Sequence, residues 1–474
     1  MTDVPAVDAG APAAAIDAPA IPPAAPAYRR YALGLLLVIY ILNFLDRQVV
    51  SILAEPIKRD LHLTDAQIGA MSGLAFALFY TFLGIAIARA AERWSRPWII
   101  AGSLALWSGF TAVCGLATSF WQLFAARLGV GFGEAGCTPA AHSLIADDTP
   151  RERRASALAF YAMGTPLGSL IGSAMGGVVA DAYGWQTAFF VAGAPGILFA
   201  IVAGLTLREP RGRLPAGVHL QSAPRASLTQ TITYLLKKPT FWLIAFSAAI
   251  SAFIGYGQGP FTASFYFRNH GPEVAILAAG FGLQSAGFIG VATGVIGGLT
   301  GAAGSLLGGR IADWAGSRDV RNVMVVPAVA GLLWAPLTIL SLMAPTAASS
   351  LMLLAIPGLL GTLWYGPIYA TAQGLAPPHM RATAAAILLF IINLIGLGLG
   401  PLAVGMLSDQ IAGHLLAPSG LTVEACGASA AAAACAPALA GGVKWALILS
   451  CVMVIPSAAL SWLARGAISR DLVS

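Results

Sequence analysis

Asp46 and Arg47 stand side by side in one apolar run, and Arg127 and Glu134 stand seven residues apart in another. An ionised side chain inside a membrane span costs on the order of 3 kcal/mol. Four such charges are tolerable only if they neutralise one another, and these four sum to zero. Seven residues at 3.6 per turn bring Arg127 and Glu134 back to nearly the same helix face, about 10.5 Å apart along the axis. Asp46 and Arg47 are about 100° apart around theirs, so they cannot both address one partner along one direction. Gly129, Gly131 and Gly133 lie between Arg127 and Glu134 and admit a closely packed neighbouring helix.

Burial opposes ionisation of a carboxyl group and a nearby guanidinium favours it. That opposition is the chemistry expected here. Asp46 or Glu134 takes up a proton, the cluster gains an excess positive charge, and an anionic group is then favoured beside Arg47 or Arg127. The reading requires all four charges to meet in a water-accessible chamber.

The elements that must position them are membrane helices. Only 10% of the 474 residues are charged and 58% are hydrophobic, whereas soluble domains carry about 25% charged residues. A spanning helix needs about 20 apolar residues. Twelve candidates lie near 29–54, 66–89, 98–117, 121–147, 154–181, 185–207, 239–267, 288–312, 322–343, 349–375, 382–411 and 442–466. The apolar region 270–287 blurs the start of the eighth.

Charge orients this layout. With both termini in the cytoplasm, 20 of the 26 Lys and Arg face that side. Lys58, Arg59, Arg268 and Lys444 face the other, and Arg47 and Arg127 are inside spans. This is the asymmetry of the positive-inside rule. The net charge of +6 therefore reports topology, and no nucleic-acid partner is implied. The expected organisation is a disordered Ala/Pro-rich tail over 1–28, a six-helix half over 29–207, a cytoplasmic linker over 208–238, a second half over 239–466 and a short tail over 467–474. The tail 1–28 lacks the basic start and compact apolar run of a signal peptide.

The halves echo each other. Glu92 and Asp313 sit in similar loops after the second and eighth spans, Arg154-Ala-Ser-Ala matches Arg381-Ala-Thr-Ala, and Asp181 matches Asp409, all at offsets near 225. Paired six-helix repeats with a midplane site are a transporter architecture. The loop Gly309-Arg-Ile-Ala-Asp313-Trp-Ala-Gly316-Ser-Arg318 resembles the cytoplasmic signature of the major facilitator superfamily. Its first-half copy departs from that signature at Ala88, Glu92 and Ser95. Arg127-Leu-Gly-Val-Gly-Phe-Gly-Glu134-Ala resembles the superfamily's fourth-span motif. Asn43-Phe-Leu-Asp46-Arg47, with Arg127 and Glu134, is similar to the Spinster family of lipid transporters, whose members move lysophospholipids or sphingosine-1-phosphate.

The resemblance implies an all-α membrane fold of twelve helices in two pseudo-symmetric halves, in a bacterial inner membrane. It implies alternating access without a cofactor, by a monomer surrounded by membrane lipids. Asp46 and Glu134 would carry protons. Arg47, Arg127 and Asn43 would bind substrate, facing a neutral second-half wall of Tyr256, Gln258, Trp364, Tyr365, Tyr369 and Asn393. Glu92, Arg93 and Arg96 in the first half and Asp313 and Arg318 in the second would gate the cytoplasmic side.

Three functions compete: a proton-coupled transporter of an amphiphilic anionic lipid, one of a small organic anion such as an aromatic or sugar acid, and a lipid sensor that does not transport. An enzyme is not expected, because His142 and Ser143 lack a triad partner and no metal-ligand spacing appears. A nucleotide-binding loop of the G-x-x-x-x-G-K-[ST] type is absent from the sequence. Cys426 and Cys435 share an Ala- and Gly-rich loop facing away from the cytoplasm. They either pair, as an oxidising compartment permits, or stay free, and the loop itself gives no geometric reason for one outcome over the other.

Overall fold

Apolar runs of membrane length have no water to satisfy their backbone and must close their hydrogen bonds internally, so each becomes a helix. The computed structural model describes residues 24–150, 153–213, 227–377, 379–427 and 432–472. Among the described residues, eleven helices are long and apolar enough to cross a membrane. The fourth crossing is built from two shorter pieces, Phe120–Glu134 and Cys137–Asp148, interrupted directly after Glu134. Twelve crossings result, as the sequence predicts.

The first span is the helix Pro26–Asp60, with proline in its first turn where no intrahelical donor is lost. The second covers 65–93 and begins with a capping box, Thr64 and Gln67 satisfying each other's backbone N–H. Arg96–Cys114, the pair 154–183, and Trp185–Thr206 complete the first half. The second half comprises Pro239–Asn269, Ser285–Arg318, Val325–Leu342, Ala347–Gly374, Arg381–Ser419 and Ala433–Asp471. The blurred region forms a separate short helix, Gly271–Gly280, and the eighth span starts at Ser285.

Two expected boundaries move. The last helix continues to Asp471, because Asp471 is buried and accepts hydrogen bonds from the backbone N–H and hydroxyl of Thr240, 3.0 and 2.7 Å away. The linker carries its own helix, Leu228–Leu236, started by a Ser227–Gln230 capping box. Residues 1–23 and 214–226, in the expected tail and linker, lie outside the described residues.

The halves meet through glycine. A Cβ on Gly69 of the second span would run into the Pro401 carbonyl, and one on Gly290 of the eighth into that of Ser173. Ser173 and Pro401 are themselves related by the repeat. Small residues let two backbones approach where lipid offers no hydrophobic drive. The second and eleventh spans each contain a π-helical stretch, Ala70–Leu74 and Ile392–Leu399, and these touch at Gly73 and the Leu397 carbonyl.

Candidate functional site

The four intramembrane charges come together, in crossed pairs. Arg47 donates from Nε and Nη2 to one oxygen of Glu134, at 2.9 and 2.7 Å. Arg127 donates from Nη1 to Asp46 at 3.5 Å. The adjacent residues of the first span thus reach the two residues spaced seven apart on the fourth. The intervening glycines make this possible: side chains on Gly131 and Gly133 would strike the backbones of Phe76 and Trp107. The second oxygens of Asp46 and Glu134, Nε of Arg127 and both amide atoms of Asn43 are buried without a hydrogen-bond partner among the described residues.

A cavity of about 410 Å³ lies between the halves, and both arginines line it. The acids do not. Glu134 is fully buried and Asp46 is 2% exposed, each behind the arginine it holds. The chamber expected to contain four charges therefore presents two guanidinium groups, with their counter-charges one residue deeper. Arg47 is boxed by the rings of Phe44, Phe76 and Tyr80, 4.6 to 5.1 Å from their centroids. Such contacts favour a cation over water.

The second-half wall is neutral. Tyr256, Trp364 and Tyr365 line the cavity, with Trp364 stacked on Tyr365 at 4.1 Å. Tyr369 lies behind, parallel to Tyr365 at 6.3 Å. Gln258 turns away from the cavity and donates to the Ser450 hydroxyl at 2.9 Å within its own half. Asn393 sits in the π-helical stretch of the eleventh span, off the lining. The remaining lining combines Gln48 and the hydroxyls of Ser51, Ser72, Ser173, Ser251, Thr293 and Thr362 with backbone at Gly255, Gly259, Gly294 and Gly298.

One end of the molecule is sealed by ion pairs that the sequence did not foretell. Arg268, ending the seventh span, donates to Glu55 of the first at 2.8 and 2.9 Å and to both oxygens of Asp65, starting the second, at 2.8 Å. Lys58 and Ser408 also bind Asp65, at 2.6 and 2.7 Å. Asp409 accepts the backbone N–H groups of Asp65 and Ala66, and Asp181 those of Ala286 and Gly287. Each aspartate thus caps a helix start in the other half, where unpaired N–H groups and the helix dipole favour an anion. One sequence signal pointed here, the Asp181–Asp409 match.

The Major Facilitator Superfamily model matches residues 36–401. The chain belongs to the Major Facilitator Superfamily. Crystal structures of a bacterial homologue of the human lysosomal transporter Spinster, in inward-facing unoccupied and occupied conformations, are similar with a TM-score of 0.82 at 31% and 32% identity. They cover 95% of this chain and 100% of those chains. An MFS-type efflux pump of Mycolicibacterium smegmatis is 34% identical over 98% of this chain and 99% of its own length. A hexuronate transporter of Bacillus subtilis is 25% identical over 52% of this chain and 56% of its own. This facilitator is a multi-pass membrane transporter of Spinster-like fold.

At the base-rich end of the facilitator no ion pair joins the halves among the described residues. Arg96 is fully buried within the first half. It binds Asp147 at 2.6 Å, the Ser143 hydroxyl at 2.8 Å, and Glu209 by way of Nη2. Burial alone would raise the Glu209 carboxyl, but the Arg96 guanidinium and backbone N–H hold it below the usual carboxylate range. Asp313 is exposed, and Arg318 lies over the Trp314 ring at 4.0 Å. The side chains of Glu92 and Arg93 lie outside the described residues. Cys426 and Cys435 are joined in a disulfide with Cα atoms 5.7 Å apart.

Proposed function

We propose that this facilitator moves an amphiphilic anion across the inner membrane of a bacterium by alternating access, coupled to protons. The observation that carries the reading is Arg47, which faces the cavity while a buried Glu134 holds its charge. Protonating Glu134 removes that hold and leaves the guanidinium free for a phosphate or carboxylate. Deprotonation restores the pair and displaces the anion. Asp46 and Arg127 repeat the arrangement about two turns away along the fourth span.

The shape of the cavity favours a lipid-like substrate. Charge sits on one wall, aromatic rings on the other, and glycine backbone forms a smooth groove between, suited to a flexible chain. Hydroxyls of Ser51, Ser72, Ser169 and Ser173 on one wall and of Ser251, Thr293 and Thr362 on the other also line the cavity, so the choice of a lipid rests on the aromatic wall and on the likeness to the Spinster homologue. The similarity to a hexuronate transporter nevertheless favours a small organic anion as the second reading, and the efflux-pump relative supports an outward direction. We place the base-rich end in the cytoplasm. The positive-inside asymmetry and a disulfide on the opposite side support that orientation. The sealed end then faces outward and the Glu92, Arg93, Arg96, Asp313 and Arg318 region forms the gate that closes when the cavity turns.

The test is transport of a fluorescent lysophospholipid in proteoliposomes under an imposed pH gradient, with Asp46→Asn and Glu134→Gln. Loss of the pH dependence in either variant is expected. An unchanged dependence in both removes the proton-coupling proposal, and competition by hexuronate with no lysophospholipid movement replaces the substrate reading with the second one.

A further inference from the structure

Away from the cavity, the base-rich end of the second half carries a depression of about 430 Å³. It lies between the turn after the eighth span and the end of the twelfth, and Asp319, Arg321, Trp462, Leu463 and Arg465 line it. Trp462 and Leu463 are 52% and 60% exposed. A tryptophan exposed at a span end marks the membrane–water interface, with its apolar face to acyl chains and its edge to the headgroups. The Arg465 guanidinium lies over that ring at 5.0 Å, and its Nε is buried without a hydrogen-bond partner among the described residues. Arg321 reaches the rim with Nε 3.4 Å from the Ser469 hydroxyl.

The acid in the depression is informative. Asp319 accepts the Arg321 backbone N–H through Oδ1 at 2.9 Å, capping its turn, and its other oxygen has no partner among the described residues. Two arginines and one aspartate leave a single net positive charge. That balance suits a phosphodiester, which carries one negative charge, better than a doubly ionised phosphate monoester. The free carboxylate oxygen accepts a hydroxyl and repels a second anion. A headgroup with a phosphodiester and a neighbouring hydroxyl meets all three features. The exposed Trp462 and Leu463 supply the acyl-chain contact that a soluble phosphate would not need.

We propose that this depression is a binding site for an anionic glycerophospholipid of the phosphatidylglycerol class, separate from the transport cavity. The phosphodiester sits between Arg321 and Arg465, the headgroup hydroxyl donates to Asp319, and the chains lie along Trp462 and Leu463. Basic pockets beside membrane helices recognise headgroups in this manner. The site is independent of the transported substrate and of the proton reading.

Native mass spectrometry of the full-length protein in an uncharged detergent tests it, with added phosphatidylglycerol, phosphatidylcholine, phosphatidic acid or inorganic phosphate. The wild type is expected to retain one phosphatidylglycerol in preference to phosphatidylcholine and to phosphatidic acid. Arg465→Gln and Arg321→Gln should each weaken that retention about fivefold, and Asp319→Asn should erase the preference over phosphatidic acid. Equal retention by wild type and both single arginine variants overturns the proposal. So does displacement of the lipid by millimolar inorganic phosphate, which would make this a phosphate site. Thermal melts without lipid, expected to match the wild type, separate loss of binding from loss of folding.

Discussion

Asp181 and Asp409 occupy the same place in two different helices, 228 residues apart, and each caps a helix of the opposite half. Asp181 takes the N–H groups of Ala286 and Gly287, and Asp409 those of Asp65 and Ala66. The capped residues are related by 221. The repeat is therefore expressed as function: one pair of reciprocal caps closes one end of the molecule. Hydrogen bonds to a charged group are worth about 1.5–3 kcal/mol. Asp181→Asn or Asp409→Asn should accordingly shift the population away from the sealed conformation about tenfold. Ser72→Cys, in the cavity wall, is a suitable reporter, because Cys114, Cys137 and Cys451 are buried. Its labelling by an impermeant thiol reagent applied at the sealed end should accelerate in either variant and more in both together. No acceleration would show that the caps are incidental.

Arg268 holds the same end more strongly than either cap. It neutralises Glu55 and Asp65, which are 5% and 1% exposed. Removing one partner of a buried pair leaves an uncompensated charge, at a cost of about 3–5 kcal/mol. Arg268→Gln should abolish the sealed conformation and with it most transport, while Arg59→Gln should leave transport unchanged. Arg59 also contacts Glu55, at 3.3 Å, but is 66% exposed, and exposed pairs contribute about 0–1 kcal/mol. Side-by-side transport assays of the two variants decide the point; equal effects would contradict the burial argument.

The hydropathy of the chain made the twelve crossings legible, and charge neutrality made it legible that Asp46, Arg47, Arg127 and Glu134 meet. Their rotation was not. Spacing says that Asp46 and Arg47 diverge by 100°, but not that both turn toward the fourth span and leave only the guanidinium groups on the cavity. The same limit misplaced Gln258, whose partner Ser450 lies almost two hundred residues away. The break after Glu134 leaves no signature beyond Gly136, one glycine among many. At the sealed end, Glu55, Asp65 and Arg268 read as ordinary span-end charges. What binds them is three-dimensional proximity of helix ends, and only the Asp181–Asp409 match carried that information along the chain.

Glu209 fastens the chain leaving the sixth span to Arg96. Its carboxyl is held below the usual carboxylate range, about 4.3 for glutamate. A group whose folded value is depressed contributes stability that is present above the unfolded value. That stability fades as pH falls through the folded one. The wild type should therefore melt at a higher temperature than Glu209→Gln, by a constant margin from pH 6 to 8. The margin should shrink below about pH 4, as protonation makes the two proteins alike. Melting curves of the pair across pH in one detergent measure this. A margin that widens on acidification would reverse the assigned sign.

Arg47 separates charge from geometry. Its guanidinium uses two N–H groups on one Glu134 oxygen and stands among three aromatic rings. An ammonium group keeps the charge but is compact and strongly hydrated, and it makes neither the forked bond nor the planar stacking. Arg47→Lys should thus fold, because Glu134 retains a counter-charge. It should bind an anionic substrate about tenfold more weakly, the equivalent of about 1.4 kcal/mol. Arg47→Gln should be worse in both respects, since it strands the fully buried Glu134 without a cation. Concentration dependence of transport distinguishes the cases: the lysine variant raises the half-saturating concentration and keeps the maximal rate. A lysine variant with wild-type affinity would mean that charge alone draws the substrate, and the ring-lined geometry around Arg47 would then have no part in recognition.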